Sequence, residues 1–216
     1  AQGPVQLGKT VMTNGSFEFT GKVDGMTPAY VLTSEQQPVA TIMLENMEYT
    51  IVAGETGIEV RGGGEAQLIW NEFEAVNNLV RREQMKMEQE ARSAYSSGNQ
   101  MKLQALQEQF QKVMEEAQKK QSALFETHKD SPVAAFMIVS GMGQMDYASL
   151  KALYDGLGET ARQCLYGQMI AQQVELFKQV EVGSVAPDFT VLTSEGDTVS
   201  LHGLEGKVKL IDFWAS

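Results

Sequence analysis

The sequence predicts an α+β protein, and three changes of character along its 216 residues carry that prediction. Residues 1–64 hold short β-forming runs separated by Gly, Asn and Pro. Residues 65–182 hold long stripes of apolar side chains at helical spacing. Residues 183–216 return to extended segments and end on a nearly continuous apolar run. The expected order is an N-terminal antiparallel β meander or sandwich over 1–64, a central helical hairpin with further helices over 65–182, and a C-terminal α/β stretch over 183–216.

In the first zone, "NGSFEFTGKV" begins with Asn14-Gly15, a pair that takes positive φ cheaply, followed by the alternation Phe17, Phe19. A tight hairpin is expected there. "PAYVLTSE" and "ATIMLENMEYTIVAGETGIEVRGGG" add further short runs, broken at Glu45-Asn46, Gly54, Gly57 and Gly62 to Gly64. Short strands at close spacing belong to antiparallel sheets. Their Met and Ile residues read as core.

The second zone opens with Ile69, Phe73, Val76, Val80, Met87, Ala91 and Ala94, recurring at helical intervals. "YSSGNQ" at 95–100 interrupts the stripe, and Leu103, Leu106, Phe110, Val113, Ala117 and Leu124 resume it. Two long helices folded back on each other are expected, their outer faces solvated or seating a partner helix. Ser131 precedes Pro132 as an N-cap precedes a first-turn proline. Asp146 is the expected cap of the next helix and Gly158 its stop. "TARQCLYGQMIAQQVELFKQV" reads as a fourth helical segment with Cys164 within it, a small buried hydrophobe; a reactive thiol would want a helix N-terminus or basic neighbours, and only Arg162 is close.

In the third zone an extended segment reaches Val191–Leu192, turns at Glu195-Gly196, and returns over Thr198 to Leu201. "HGLEGK" is a short connection. Val208 to Trp214 then form an apolar run of the kind found in strands covered on both faces. This zone is expected to be part of a larger sheet domain.

Composition narrows function. The net charge of −11 disfavours a phosphate-backbone partner, and the densest basic stretch, "VRREQMK", is interrupted by Glu83. No nucleic-acid partner is expected. One cysteine, Cys164, rules out an intramolecular disulfide, a four-cysteine zinc site and a C-x-x-C pair within these residues. His128 and His202 stand far apart in unrelated surroundings, so no metal site is expected. No run of 18 apolar residues marks a membrane span.

"VGSVAPDFTV", "SEGDTVSLHGLEGKV" and "KLIDFWAS" together resemble the opening of a thioredoxin-like domain. They are most similar to the TlpA/ResA-like thiol–disulfide oxidoreductases, with AhpC/TSA peroxiredoxins as cousins. The matching positions are Gly183, Ala186-Pro187-Asp188-Phe189 and Leu192, then Gly196, Val199-Ser200-Leu201, Leu204, Gly206-Lys207 and Phe213-Trp214-Ala215. The first zone, more loosely, is similar to envelope lipoproteins of Gram-negative bacteria that carry an N-terminal β domain of unknown function. The resemblance implies that residues 183–216 are an incomplete thioredoxin-like domain, with W-C-x-x-C expected directly after Ser216. No catalytic cysteine pair is present in the 216 residues, and no cofactor is implied.

Among the residues present, the resemblance puts Asp212 where thioredoxins hold a buried carboxylate that accepts a proton from the cysteine pair. A strand-end Asp bonded to backbone is the alternative. Phe213, Trp214 and Pro187 are implied to lie beside the active site, though core packing explains Trp214 equally. The implied partners are disulfide-containing proteins or a redox partner protein. The implied location is the periplasm or the outer-membrane-associated cell envelope, with a lipid anchor in the parent. Two other readings stay open: a non-catalytic binding, adaptor or dimerisation module, with a homodimer formed through the helices, and a peroxiredoxin-like peroxide reductase.

Overall fold

A computed structural model describes residues 5–54, 57–206 and 208–212. The architecture is α+β. Four strands come first: β1 (Thr27–Leu32), β2 (Pro38–Leu44), β3 (Tyr49–Gly54) and β4 (Gly57–Gly62). Six α-helices follow: α1 (Glu65–Ser96), α2 (Gln100–His128), α3 (Pro132–Gly141), α4 (Tyr147–Gly156), α5 (Glu159–Gln163) and α6 (Leu165–Val180). The last strands are β5 (Thr190–Leu192) and β6 (Thr198–Ser200).

The strands pair antiparallel as separate hairpins, β1 with β2, β3 with β4 and β5 with β6, not as one continuous meander. The hairpin expected at Asn14-Gly15 shrinks to a single bridge between Thr13 and Ser16. Both turn residues have positive φ, so the turn chemistry acts as expected. Phe17 and Phe19 meet edge to face at 5.8 Å, but Phe19 stays exposed. A two-stranded ribbon with no apolar face to bury is marginal in water, so the ladder does not extend.

A polar joint ties the strands to α1. The side chain of Gln67 is fully buried, and its Oε1 accepts the Met43 backbone N–H at 2.8 Å. Its Nε2 donates to Asn71 Oδ1 at 2.9 Å, and Asn71 Nδ2 donates to the Val60 carbonyl at 3.0 Å. One side-chain relay thus satisfies backbone groups of β2 and β4 that the two hairpins leave unpaired. The Tyr49 hydroxyl accepts from Glu45 N–H at 2.7 Å and donates to the Met43 carbonyl at 2.8 Å, and burial raises its pKa. Gly63 sits at φ +80° against the Tyr49 ring, where a Cβ would collide with that ring. The triple glycine is therefore the close crossing that lets β4 enter α1.

Helices α1 and α2 form the expected antiparallel hairpin. Ser97 and Gly98 turn the chain, and Asn99 Oδ1 caps α2 by accepting from Lys102 N–H at 3.0 Å. Gln121 and Asn77 bond across the pair at 2.9 Å, and His128 Nε2 meets Glu72 Oε2 at 3.0 Å near its base. Ser131 and Asp146 cap α3 and α4 as expected. Helix α3 is apolar all round because it is shared by two cores. Val133 and Phe136 join Met43, Ile69 and Phe73, while Ala134, Ala135 and Ile138 join Leu150, Leu157 and Ile170. A helix that is hydrophobic on every side needs burial on every side.

Three expectations fail here. Gly158 does not stop α4, which ends at Gly156; it opens α5 as its N-cap. The Asp130 carboxylate crowds the α-carbon of Gly158 and takes over the capping, accepting from Thr160 N–H at 2.8 Å and from its hydroxyl at 2.9 Å. The helix expected to run through Cys164 is two helices, because Cys164 is extended at ψ 167°. Gly167 packs directly on the Ala161 and Arg162 carbonyls, and the break lets Leu157, Ala161 and Ile170 all reach one core. Finally, the described part of the Val208–Trp214 run, residues 208–212, forms no strand, and Val208 and Leu210 are exposed. Among the described residues no strand pairs with this segment, and a strand needs a ladder partner to form.

Candidate functional site

The residues that resemble a redox domain gather around the β5–β6 hairpin. Its register is Thr190 to Ser200, Val191 to Val199 and Leu192 to Thr198. The Glu195-Gly196 turn closes with Gly196 at φ +89° and the Gly196 N–H donating to the Thr193 carbonyl at 3.1 Å. Beyond the strands the pairing continues outward, with Leu201 N–H donating to the Phe189 carbonyl at 3.0 Å.

One step further, the pairing passes to side chains. Asp188 Oδ1 accepts the His202 backbone N–H at 2.8 Å, and His202 Nε2 lies 2.7 Å from the Ala186 carbonyl. With that carbonyl as acceptor, Nε2 carries the proton. The Ala-Pro-Asp-Phe segment is therefore clamped on both sides of Pro187 by one histidine. Pro187 is exposed, and Leu201 is buried. Lys209 Nζ donates to the Leu201 carbonyl at 2.7 Å, which holds the start of the terminal run beside this hairpin.

In the sequence His202 stands out only as a histidine too isolated to bind a metal. Strand register is the signal that exposes its role. Once Thr190 faces Ser200, extrapolation by two places sets Asp188 opposite His202. Asp212 is exposed and makes no hydrogen bond among the described residues. Phe213 and Trp214 lie outside the described residues, so Asp212 and Pro187 are the two expected site residues that the structure describes.

Cys164 stands apart from this hairpin, at the N-terminus of α6. Its Sγ–H donates to the Ala161 carbonyl at 3.0 Å and its sulfur accepts from Gly167 N–H at 3.5 Å. The thiol is thus a cap joining α5 to α6. The neighbouring Tyr166 has a raised pKa, chiefly through burial, and its ring meets Phe136 edge-on at 5.4 Å.

Among the described residues no group of three or more His, Cys, Asp and Glu side chains could hold a metal ion. No described helix is long and apolar enough to cross a membrane. No curated protein and no solved structure matches the chain. Residues 1–68, which span the first two hairpins, the triple glycine and the first turn of α1, match the family model of a domain of unknown function, DUF4369.

Proposed function

We propose that this chain serves a thiol–disulfide oxidoreductase of the cell envelope, with residues 183–216 opening its thioredoxin-like domain. The cysteine pair would come from sequence beyond these residues, since Cys164 is the single cysteine in them. Substrates would be disulfide-containing proteins or a redox partner protein. The observation that carries the reading is the motif set from Ala186 to Trp214 at family spacing. The double clamp of His202 on Ala186 and Asp188 supports it, because it holds the Ala-Pro-Asp part of that motif to the end of the β5–β6 hairpin.

The chemistry follows from general principles. A cysteine at a helix N-terminus is favoured as thiolate by the unpaired N–H groups and the helix dipole. That thiolate attacks a substrate disulfide and forms a mixed disulfide, and the second cysteine displaces it. Both electrons come from the protein dithiol, which leaves as a disulfide. In this scheme Asp212 accepts the proton of the second cysteine, in a carboxylate environment desolvated by the completed domain.

The test is an insulin-reduction assay with dithiothreitol on two polypeptides. One is residues 1–216; the other continues along the natural coding sequence. Turnover by the longer protein and none by the shorter is expected. A longer protein without turnover, or without a cysteine pair after Ser216, overturns the reading. The second reading is an adaptor that positions or recognises a partner through the α1–α2 hairpin. The observation favouring it is that these two helices, 32 and 29 residues long, form the largest element of the chain.

A further inference from the structure

Of the six asparagines in the chain, Asn14 alone is followed by glycine. The other five have their carboxamides engaged. Asn46 bonds the Val23 backbone twice, at 3.0 and 2.8 Å. Asn71, Asn77, Asn78 and Asn99 each hold at least one hydrogen bond along α1 or at the start of α2. Asn14 is exposed, and its carboxamide has no partner among the described residues. Nor does the backbone N–H of Gly15.

The turn that holds this pair is slight. Its two hydrogen bonds run between Thr13 and Ser16, at 2.8 and 3.1 Å, and no ladder continues from them. Asn14 sits at φ 53° and Gly15 at φ 77°, and nothing lies within 4 Å of where a Cβ on Gly15 would be. Two exposed backbone hydrogen bonds favour the closed turn by about thirtyfold at most, so the open form is populated to about a few per cent or more. In the open form the Asn14 Cα–C and Cα–Cβ bonds rotate. Gly15, with no Cβ in the way, then brings its nitrogen onto the Asn14 side-chain carbon.

We propose that Asn14 is a site of self-modification, converting in the folded protein to aspartate and isoaspartate. The Gly15 nitrogen loses its proton to solvent and bonds to Asn14 Cγ. The Cγ–Nδ2 bond breaks, and the departing nitrogen takes up a proton from solvent and leaves as ammonia. The five-membered succinimide so formed adds one water. Cleavage of its new Cγ–N bond gives aspartate; cleavage of the original peptide C–N bond gives isoaspartate, with the main chain now running through Cγ. No electrons are exchanged, and water is the single co-reactant. Either product adds one negative charge to the −11 of the chain. Isoaspartate also lengthens the main chain by one carbon, which a two-residue turn does not absorb, so the pairing of Thr13 with Ser16 is lost with it.

Tryptic mapping of residues 1–216, incubated folded at mildly alkaline pH, tests this. The tryptic peptide Thr10–Lys22 should gain one mass unit and split into two chromatographic peaks. A synthetic peptide of residues 10–22 supplies the rate without a fold. The folded protein should convert no more than about thirtyfold more slowly, the limit set by opening the turn. The peptides that carry the other five asparagines should stay unmodified over that time. Gly15→Ala should slow conversion by an order of magnitude or more, even though alanine at this φ loosens the turn. Asn14→Gln, whose ring would need six members, should abolish it. Circular dichroism before incubation confirms that each variant keeps its helices. A slowing beyond the thirtyfold limit, an earlier change at any other asparagine, or conversion of Asn14→Gln overturns the proposal. So does a Gly15→Ala protein that converts as fast as the parent or faster.

Discussion

Gln67 occupies a position where an apolar residue would satisfy the helix pattern, since Ala66, Ile69 and Phe73 around it are buried. Its amide is there because β2 and β4 need partners that neither hairpin supplies. Replacing it with Leu keeps the volume and orphans the Met43 N–H. Leaving one buried donor unmet costs about 1–3 kcal/mol, and urea unfolding of Gln67→Leu should show a loss in that range. At Asp130 the governing quantity is charge. Hydrogen bonds from the Thr160 hydroxyl and N–H hold its carboxyl below the ordinary carboxylate pKa. A depressed folded pKa stabilises above the unfolded value and loses that contribution as pH falls through the folded one. Asp130→Ala should therefore lower the melting temperature by a few degrees at neutral pH, and the difference from the parent should close in acid below the ordinary carboxylate value. A gap that persists unchanged in strong acid would assign the effect to packing. Asp212 belongs to the proposed chemistry. In the longer oxidoreductase, Asp212→Asn should shift the pH dependence of thiol exchange, and an unmoved profile would remove it as the proton acceptor.

Among the elements, the crossing from β4 into α1 and the break between α5 and α6 depend on residues without side chains. Gly63 combines positive φ with contact on the Tyr49 ring. Gly63→Ala should cost about 2–3 kcal/mol through backbone strain and displacement of that ring, read as a lower denaturation midpoint. The β5–β6 hairpin is different. Of its described residues Leu201 is buried, and it joins neither core cluster. Ending the chain after Glu181 should leave the far-UV helical signal and the melting temperature of the remainder nearly unchanged. A large fall would mean that the hairpin braces the helices.

At the scale of the molecule, the long periodic elements were legible from the residues. Both long helices, the Asn99 and Ser131 turns and the Asp146 cap follow from period and capping chemistry, which act over a few neighbouring positions. The three-residue strands at 190–192 and 198–200 were legible for the same reason, from a turn signal with β-formers on each side. The Asn14-Gly15 hairpin was not, because a correct turn cannot extend a ladder that has no apolar face to bury. The break at Cys164 was equally hidden. Its helical pattern is continuous in sequence, and it is the shared core of Leu157, Ala161 and Ile170 that bends the chain there. Nor could the clamp on Pro187 be read from composition, since Asp188 and His202 are fourteen residues apart and meet only through strand register.

Local chemistry thus settled which segments are helices and turns, because propensity, capping and periodicity operate within about two turns of chain. It also carried the motif from Ala186 to Trp214 on which the redox proposal rests. Folding settled which of those segments touch. It placed Gln67 between two hairpins and Asp130 on a helix thirty residues away. It also set Gln121 of α2 against Asn77 of α1, forty-four residues apart. These outcomes depend on desolvating particular polar groups and filling particular volumes, and both quantities exist only once distant parts of the chain are in contact.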